Sequence, residues 1–183
     1  MENEVLEVIY TRRSVRSFTG QAIPRESLLK ILKAGMAAPS ARNIQPWAFV
    51  AVTERGLLDS LCERLPYAKM LDKAGAAVIV CGVPGKDEVY GGKYQDENRI
   101  GGKYWVMDSS AAAENILLAC HAMGLGAVWT AAYPYENRMA AVRDIIGVPE
   151  DVMPLAVIPV GVPKDKGKVT DKFKEDNIRW ERW

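Results

Sequence analysis

The chain has 183 residues, with 24 Lys and Arg against 23 Asp and Glu and a formal net charge of +1. This length predicts one hydrophobic core and one domain over residues 1–183. The even charge balance excludes a global drive toward nucleic acid or acidic membranes, so any anion site is local. A hydrophobic share of 49% and a charged share of 26% exclude a disordered or collagen-like chain. No apolar run approaches the ~18 residues of a membrane span, and Met1-Glu2-Asn3-Glu4 is unlike a secretory signal, so no membrane partner and a cytoplasmic location are expected.

In chain order, Val5, Leu6, Val8 and Ile9 predict a short amphipathic helix stopping at Thr11-Arg12-Arg13-Ser14. Pro24 suits a first helical turn, and Leu28, Ile31, Leu32, Gly35 and Met36 recur at helical spacing until Pro39. Trp47 to Val52 and Ala76 to Val83 are short apolar runs that read as strands buried on both faces. Between them, Leu57, Leu58, Leu61 and Leu65 fit a small helix. Residues 84–103, rich in Gly, Lys, Asp and Glu, lack a period and read as a lid or surface excursion.

Asp108 or Ser109 is expected to cap a buried helix running to Met123, with Gly124 as a left-handed stop. Ala127 to Ala132 reads as a third strand, Asn137 to Ile146 as a helix closed by Gly147 and Pro149, and Leu155 to Val160 as a fourth strand. Interleaved helices and strands with few hairpin signals predict a mixed sheet covered by helices. Residues 164–183 differ: 12 of the 20 are charged, yet Val169, Phe173, Ile178, Trp180 and Trp183 are apolar and widely spaced. Two terminal tryptophans favour a tail that lays anchors on another surface, that of a partner subunit, over a disordered one.

Cys62, Cys81 and Cys120 form no Cys-x-x-Cys pair and read as buried thiols, not metal ligands. A single histidine, His121 in an Ala-rich helix pattern, leaves little for a Ser-His-Asp site or a histidine metal centre, and an ordinary packed role is expected for it. Arg12-Arg13-Ser14-Val15-Arg16 reads either as a phosphate or carboxylate clamp or as a solvated basic turn; no Walker or Gly-x-Gly-x-x-Gly loop accompanies it. In Ala38-Pro39-Ser40-Ala41-Arg42-Asn43-Ile44-Gln45-Pro46-Trp47, Asn43 and Gln45 suit the edge of a flat heterocycle or else satisfy loop backbone. Gly124 and Gly126 permit either a tight turn or close approach of backbone to a ligand, and Trp129 reads as core or as cofactor wall.

Together these segments resemble the FMN-dependent nitroreductase family, in its short, single-domain form. The resemblance runs through Arg12 to Arg16, Pro39-Ser40-x-x-Asn43-x-Gln45-Pro46-Trp47, Asn115-Ile116-Leu117-Leu118 to Gly124-Leu125-Gly126-Ala127-Val128-Trp129, Pro159-Val160-Gly161 and Asp171-Lys172-Phe173. It implies an α+β three-layer fold with a central mixed sheet, a C-terminal extension over residues 164–183 wrapping the partner of a homodimer, and FMN sites at the interface. Arg12, Arg13 and Ser14 would hold the phosphate and ribityl chain, with Arg16 and Lys172 completing the anion site. Pro39, Ser40, Ala41, Asn43 and Gln45 would lie near the flavin, partly from the other subunit. Backbone from Trp129 through Thr130 and Ala131 toward Tyr135 would follow the ring, and Lys69 stands where longer members carry a flavin-facing lysine. Thr170 replaces a second basic residue of some relatives, leaving Arg16 or Lys168 to supply that charge.

The implied activity is ping-pong hydride transfer from NADH or NADPH through flavin N5 to a nitroaromatic, quinone or similar small acceptor. No side-chain catalyst and no metal are expected, because the cofactor carries the chemistry. Alternatives on the same scaffold are a dedicated non-nitro substrate, of the dehalogenase or flavin-modifying type, and a non-catalytic flavin-binding protein. The 84–103 excursion, with Tyr90, Tyr94 and neighbouring Tyr104, is expected to shape the acceptor pocket.

Overall fold

The computed structural model describes residues 3–86, 104–165 and 167–183. The excursion expected to shape the acceptor pocket therefore lies, beyond residue 86, outside the described residues.

The centre of the fold is set by Ala-Ala-Val-Ile-Val-Cys-Gly, strand β2 (Ala76–Gly82), in which every residue is buried. Strand geometry sends alternate side chains to opposite faces. Ala77, Ile79 and Cys81 join one core cluster, and Ala76, Val78 and Val80 join another. β2 pairs with β1 (Trp47–Val52) and with β5 (Met153–Gly161), and two short strands, β3 (Gly126–Ala127) and β4 (Thr130–Ala131), pair with the far side of β5.

Helices cover both faces. On one side α3 (Arg55–Arg64) supplies Leu58 and Leu61, and α5 (Glu136–Ile146) supplies Met139 and Val142. On the other, α2 (Arg25–Met36) supplies Leu28 and Ile31, and α4 (Tyr104–Ala122) supplies Trp105, Ile116, Leu117 and Cys120. This is the three-layer arrangement expected. α2 and α4 approach closely at Gly35, where a Cβ would stand 2.9 Å from Ile116 Cγ1.

Several expectations are corrected. All four strand ladders are antiparallel, and among the described residues the parallel element of the expected mixed sheet is a single bridge, Ser14 to Ala127. β1 is not buried on both faces: Trp47 and Val52 are buried while Ala48, Val50 and Ala51 are exposed, because β1 is the sheet edge. The third strand is two short pieces interrupted at Val128 and Trp129. α4 begins at or before Tyr104, so Asp108 caps nothing in its own helix; its carboxylate accepts instead from the Ala41 N–H at 3.1 Å. Gly124 does hold the left-handed conformation, φ +72°.

Helix α1 (Glu4–Thr11) buries no residue in the single chain, leaving Val5, Leu6, Ile9 and Tyr10 exposed. The tail is equally uncovered, with Phe173 70%, Trp180 79% and Trp183 fully exposed.

Candidate functional site

The basic segment is seated on the sheet by two glycines. Residues 14–19 run along its edge: Val15 N–H donates to Ala127 O at 3.0 Å, Thr19 N–H to Val162 O at 3.0 Å, and Lys164 N–H to Ser17 O at 3.0 Å. Side chains of Val15 and Phe18 press onto the backbone of Gly126 and Gly161, where a Cβ would come within 2.6 and 2.7 Å of them. The close approach that Gly126 permits is thus made by Val15, not by a ligand.

This seat presents Arg12 and Arg13 to the tail. Lys172 Nζ donates to Arg12 O at 2.7 Å, and Arg13 Nη2 donates to Asp165 O at 3.0 Å. Gly167 lies against the Arg13 guanidinium, 2.5 Å from where its Cβ would be. Arg12 Nε pairs with Glu114 at 3.1 Å. Ser14 and Arg16 are exposed, and Arg16 makes no hydrogen bond or ion pair among the described residues.

His121, expected only to pack, belongs to this cluster. Its Nε2 lies 2.8 Å from Thr11 Oγ1, whose own proton goes to Glu7 O at 2.6 Å; the ring nitrogen is therefore the donor. Burial holds its pKa below the ordinary histidine value, and the charges of Arg13, Arg12 and Lys172 press in the same direction. Positive charge from both ends of the chain, Arg12, Arg13 and Lys172, thus gathers beside the imidazole.

The Pro39 to Gln45 loop is strained. Arg42, Asn43 and Gln45 all adopt positive φ, 53°, 55° and 52°, a conformation costly for non-glycine residues and concentrated at functional sites. Ser40 Oγ accepts from Gln45 N–H at 2.9 Å, and the Gln45 side-chain amide donates to Asn43 Oδ1 at 3.3 Å. Asn43 and Gln45 thus bond each other while both remain exposed, as does Pro39.

Within one chain the loop and the basic cluster stand apart. The loop leads into Trp47, which pairs with Gly82, itself opposite Met153; the basic segment pairs at Ala127, beside Gly161. Those two ends of β5 are separated by about 26 Å at ~3.3 Å per residue. Helix α4 repeats the spacing: Asp108 holds Ala41 and His121 holds Thr11, about 20 Å apart along the helix axis.

The middle of β5 carries the remaining candidates. Thr130 is buried, and its hydroxyl proton is spent on Val157 O at 2.6 Å. Trp129 is half-buried against the core on the α2 and α4 side. Lys69 ties down the end of α3, its Nζ donating to Cys62 O at 2.7 Å and Glu63 O at 3.2 Å. A crevice beside Thr130 and Ala131 is lined by Leu65, Pro66, Tyr67, Ala68 and Arg138. Among the described residues no group of three or more His, Cys, Asp or Glu could hold a metal, and no helix is long and apolar enough to cross a membrane.

The Nitroreductase family model matches residues 9–78 and 58–162. An Archaeoglobus fulgidus protein named "Putative NADH dehydrogenase/NAD(P)H nitroreductase" is 42% identical over 183 residues, covering 98% of this chain and 99% of its own. The crystal structure of a similarly named Bacteroides thetaiotaomicron protein is 44% identical, with TM-score 0.89 over 100% of both chains. A Desulfovibrio desulfuricans structure described as a "putative nitroreductase in complex with fmn" is 26% identical, with TM-score 0.78 over 100% of this chain and 99% of that one. On the extent of these matches and the three-layer fold beneath them, the chain belongs to the nitroreductase family.

Proposed function

We propose that the chain is an FMN-dependent NAD(P)H oxidoreductase that passes electrons to a small aromatic or quinone-like acceptor. The observation that carries this is the meeting of Arg12, Arg13 and Lys172, drawn from opposite ends of the sequence, where residues 14–19 pair with the sheet edge. That donor set fits a phosphate monoester. It offers guanidinium and ammonium donors, with Glu114 the carboxylate paired to Arg12. FMN, when bound, supplies a two-electron relay between nicotinamide and acceptor. This chain's residues bind and orient: Arg12, Arg13 and Lys172 hold the phosphate, Ser14 the adjoining hydroxyls, and the backbone of Thr130 and Ala131 lines the ring.

The working unit is a homodimer. In one chain the Pro39 to Gln45 loop and the arginines stand at opposite ends of β5 and of α4, about 20–26 Å apart by those two rulers, so a complete site takes that loop from a second copy. The uncovered apolar face of α1 and the exposed Phe173, Trp180 and Trp183 support the same assembly. Each chain is then one domain carrying half of each site. Three unpaired cysteines support a reducing compartment, the cytoplasm.

The test is anaerobic. Flavin absorbance of the purified protein bleaches on adding NADH or NADPH and returns with a nitroaromatic or quinone. Arg13→Ala releases FMN, losing a charge-assisted contact worth about 1.5–3 kcal/mol. A protein that neither retains nor takes up FMN, or whose bound flavin stays oxidised with both nicotinamides, overturns the assignment.

A further inference from the structure

On the crevice rim, Arg138 occupies an unusual position. Its Cζ lies 3.7 Å from the centroid of the Tyr135 ring and 4.7 Å from that of Tyr67. Nη1 donates to Ala131 O at 3.2 Å. Among the described residues this is the one hydrogen bond of its five-donor fork, and no carboxylate pairs with it. The residue also sits in the first turn of α5, where a cation opposes the helix dipole. A surface arginine held for stability alone would be expected to find an acid or to stay solvated; this one is fixed by two rings and a strand carbonyl.

The surroundings define a ligand. Tyr67 and Tyr135 are 68% and 48% exposed, leaving aromatic surface for stacking. The crevice floor is apolar, from Leu65, Pro66, Ala68 and Val157, and it shares Thr130 and Ala131 with the ring-lining segment. The phosphate cluster is a separate place: Ala127, which pairs with Ser14, is four residues from Ala131. Planar guanidinium edges bind oxyanions in paired hydrogen bonds.

We propose that Arg138, steadied by Tyr67 and Tyr135, is a specificity-determining residue that selects aromatic substrates carrying an oxyanion. The oxyanion is either a carboxylate on the electron acceptor or the 2′-phosphate that distinguishes NADPH from NADH. The inference rests on the flavin reading above for where the substrate lies, and the experiment separates the two.

Compare wild type with Arg138→Gln, and with Arg138→Lys as the variant that keeps charge but loses the fork. The acceptors are 4-nitrobenzoate and its neutral isostere 4-nitrobenzamide; the donors, in the reductive half-reaction, are NADPH and NADH. For an acceptor carboxylate, Arg138→Gln lowers kcat/KM with 4-nitrobenzoate about 10- to 100-fold through KM, leaves the amide within about threefold, and Arg138→Lys falls between. For a donor phosphate, the same loss appears with NADPH and spares NADH. Equal losses for charged and neutral partners, or no loss in either arm, overturn the proposal and reduce Arg138 to a tie on Ala131. Calorimetry of benzoate against benzamide, and of NADPH against NADH, on the purified protein measures charge selectivity without turnover. Charge-selective binding that Arg138→Gln abolishes, in a protein without flavin, upholds this site and defeats the flavin reading. Flavin turnover with no charge selectivity in any arm does the reverse.

Discussion

Gly126→Ala tests whether the basic segment is held by its seat on the sheet. The new Cβ would meet Val15 Cγ1 at 2.6 Å, Val15 Cβ at 2.8 Å and Phe18 Cε1 at 3.1 Å, where carbon atoms rest ~3.5–4.0 Å apart. Residues 14–18 must retreat by about 1 Å. Overpacking of this kind costs about 1–3 kcal/mol, and weakening the bond from Val15 N–H to Ala127 O adds about 1 kcal/mol. At roughly 2–4 °C per kcal/mol for this chain length, the melting point falls by roughly 5–15 °C. Arg12 and Arg13 move with the segment, so flavin retained through gel filtration falls too. Val15→Ala in the same chain removes the 2.6 Å contact and leaves the 2.8 Å one, giving partial rescue. Gly124→Ala meets nothing within 4 Å and suffers only for its φ of +72°, about 1–2 kcal/mol, with flavin kept. A Gly126→Ala protein that melts within a degree of wild type with full flavin refutes the seat.

Removing residues 173–183 takes away Phe173, Trp180 and Trp183; light scattering at micromolar concentration should change from two chain masses to one, and a truncated chain that stays dimeric separates the tail from the interface. Because the pKa of His121 is depressed in the folded state, the unfolded chain binds more protons: stability is complete above about pH 6.5 and is lost as pH falls through the depressed value. Urea midpoints between pH 8 and 5 should show that slope, and His121→Gln should flatten it. Burial pushes the Cys81 thiol up to about 11 and the Cys120 thiol up to about 12, so maleimide at pH 7.5 should modify half-buried Cys62 first and reach the other two only on unfolding, as mass spectrometry of timed samples will show.

What could be read in the sequence was what neighbours in sequence decide. β2 announced itself as an apolar run bounded by Gly75 and Pro84, and it is buried throughout. β1 has the same composition but lies at the sheet edge, and strand order is not a local property. Asp108 carries an N-cap signal that the fold uses on Ala41, in another element. Arg12, Arg13 and Lys172 were legible as charges, but their meeting across 160 residues of chain was supplied by family resemblance. His121 and Arg138 were not legible at all. Their partners, Thr11 for one and Tyr67 for the other, are too far away in sequence to form a motif.

The separation of the Pro39 to Gln45 loop from the arginines has a genetic consequence. In the proposed dimer, a chain broken at Arg13 and a chain broken at Asn43 and Gln45 are each inactive alone. Mixed as unfolded chains and refolded together, half of the dimers formed at random are hybrids. Each hybrid carries one site with both faults and one with neither, so about a quarter of wild-type activity returns. Two dead alleles would complement each other inside one cell, and a gene of this kind would show allele pairs that behave as separate functions while encoding a single chain.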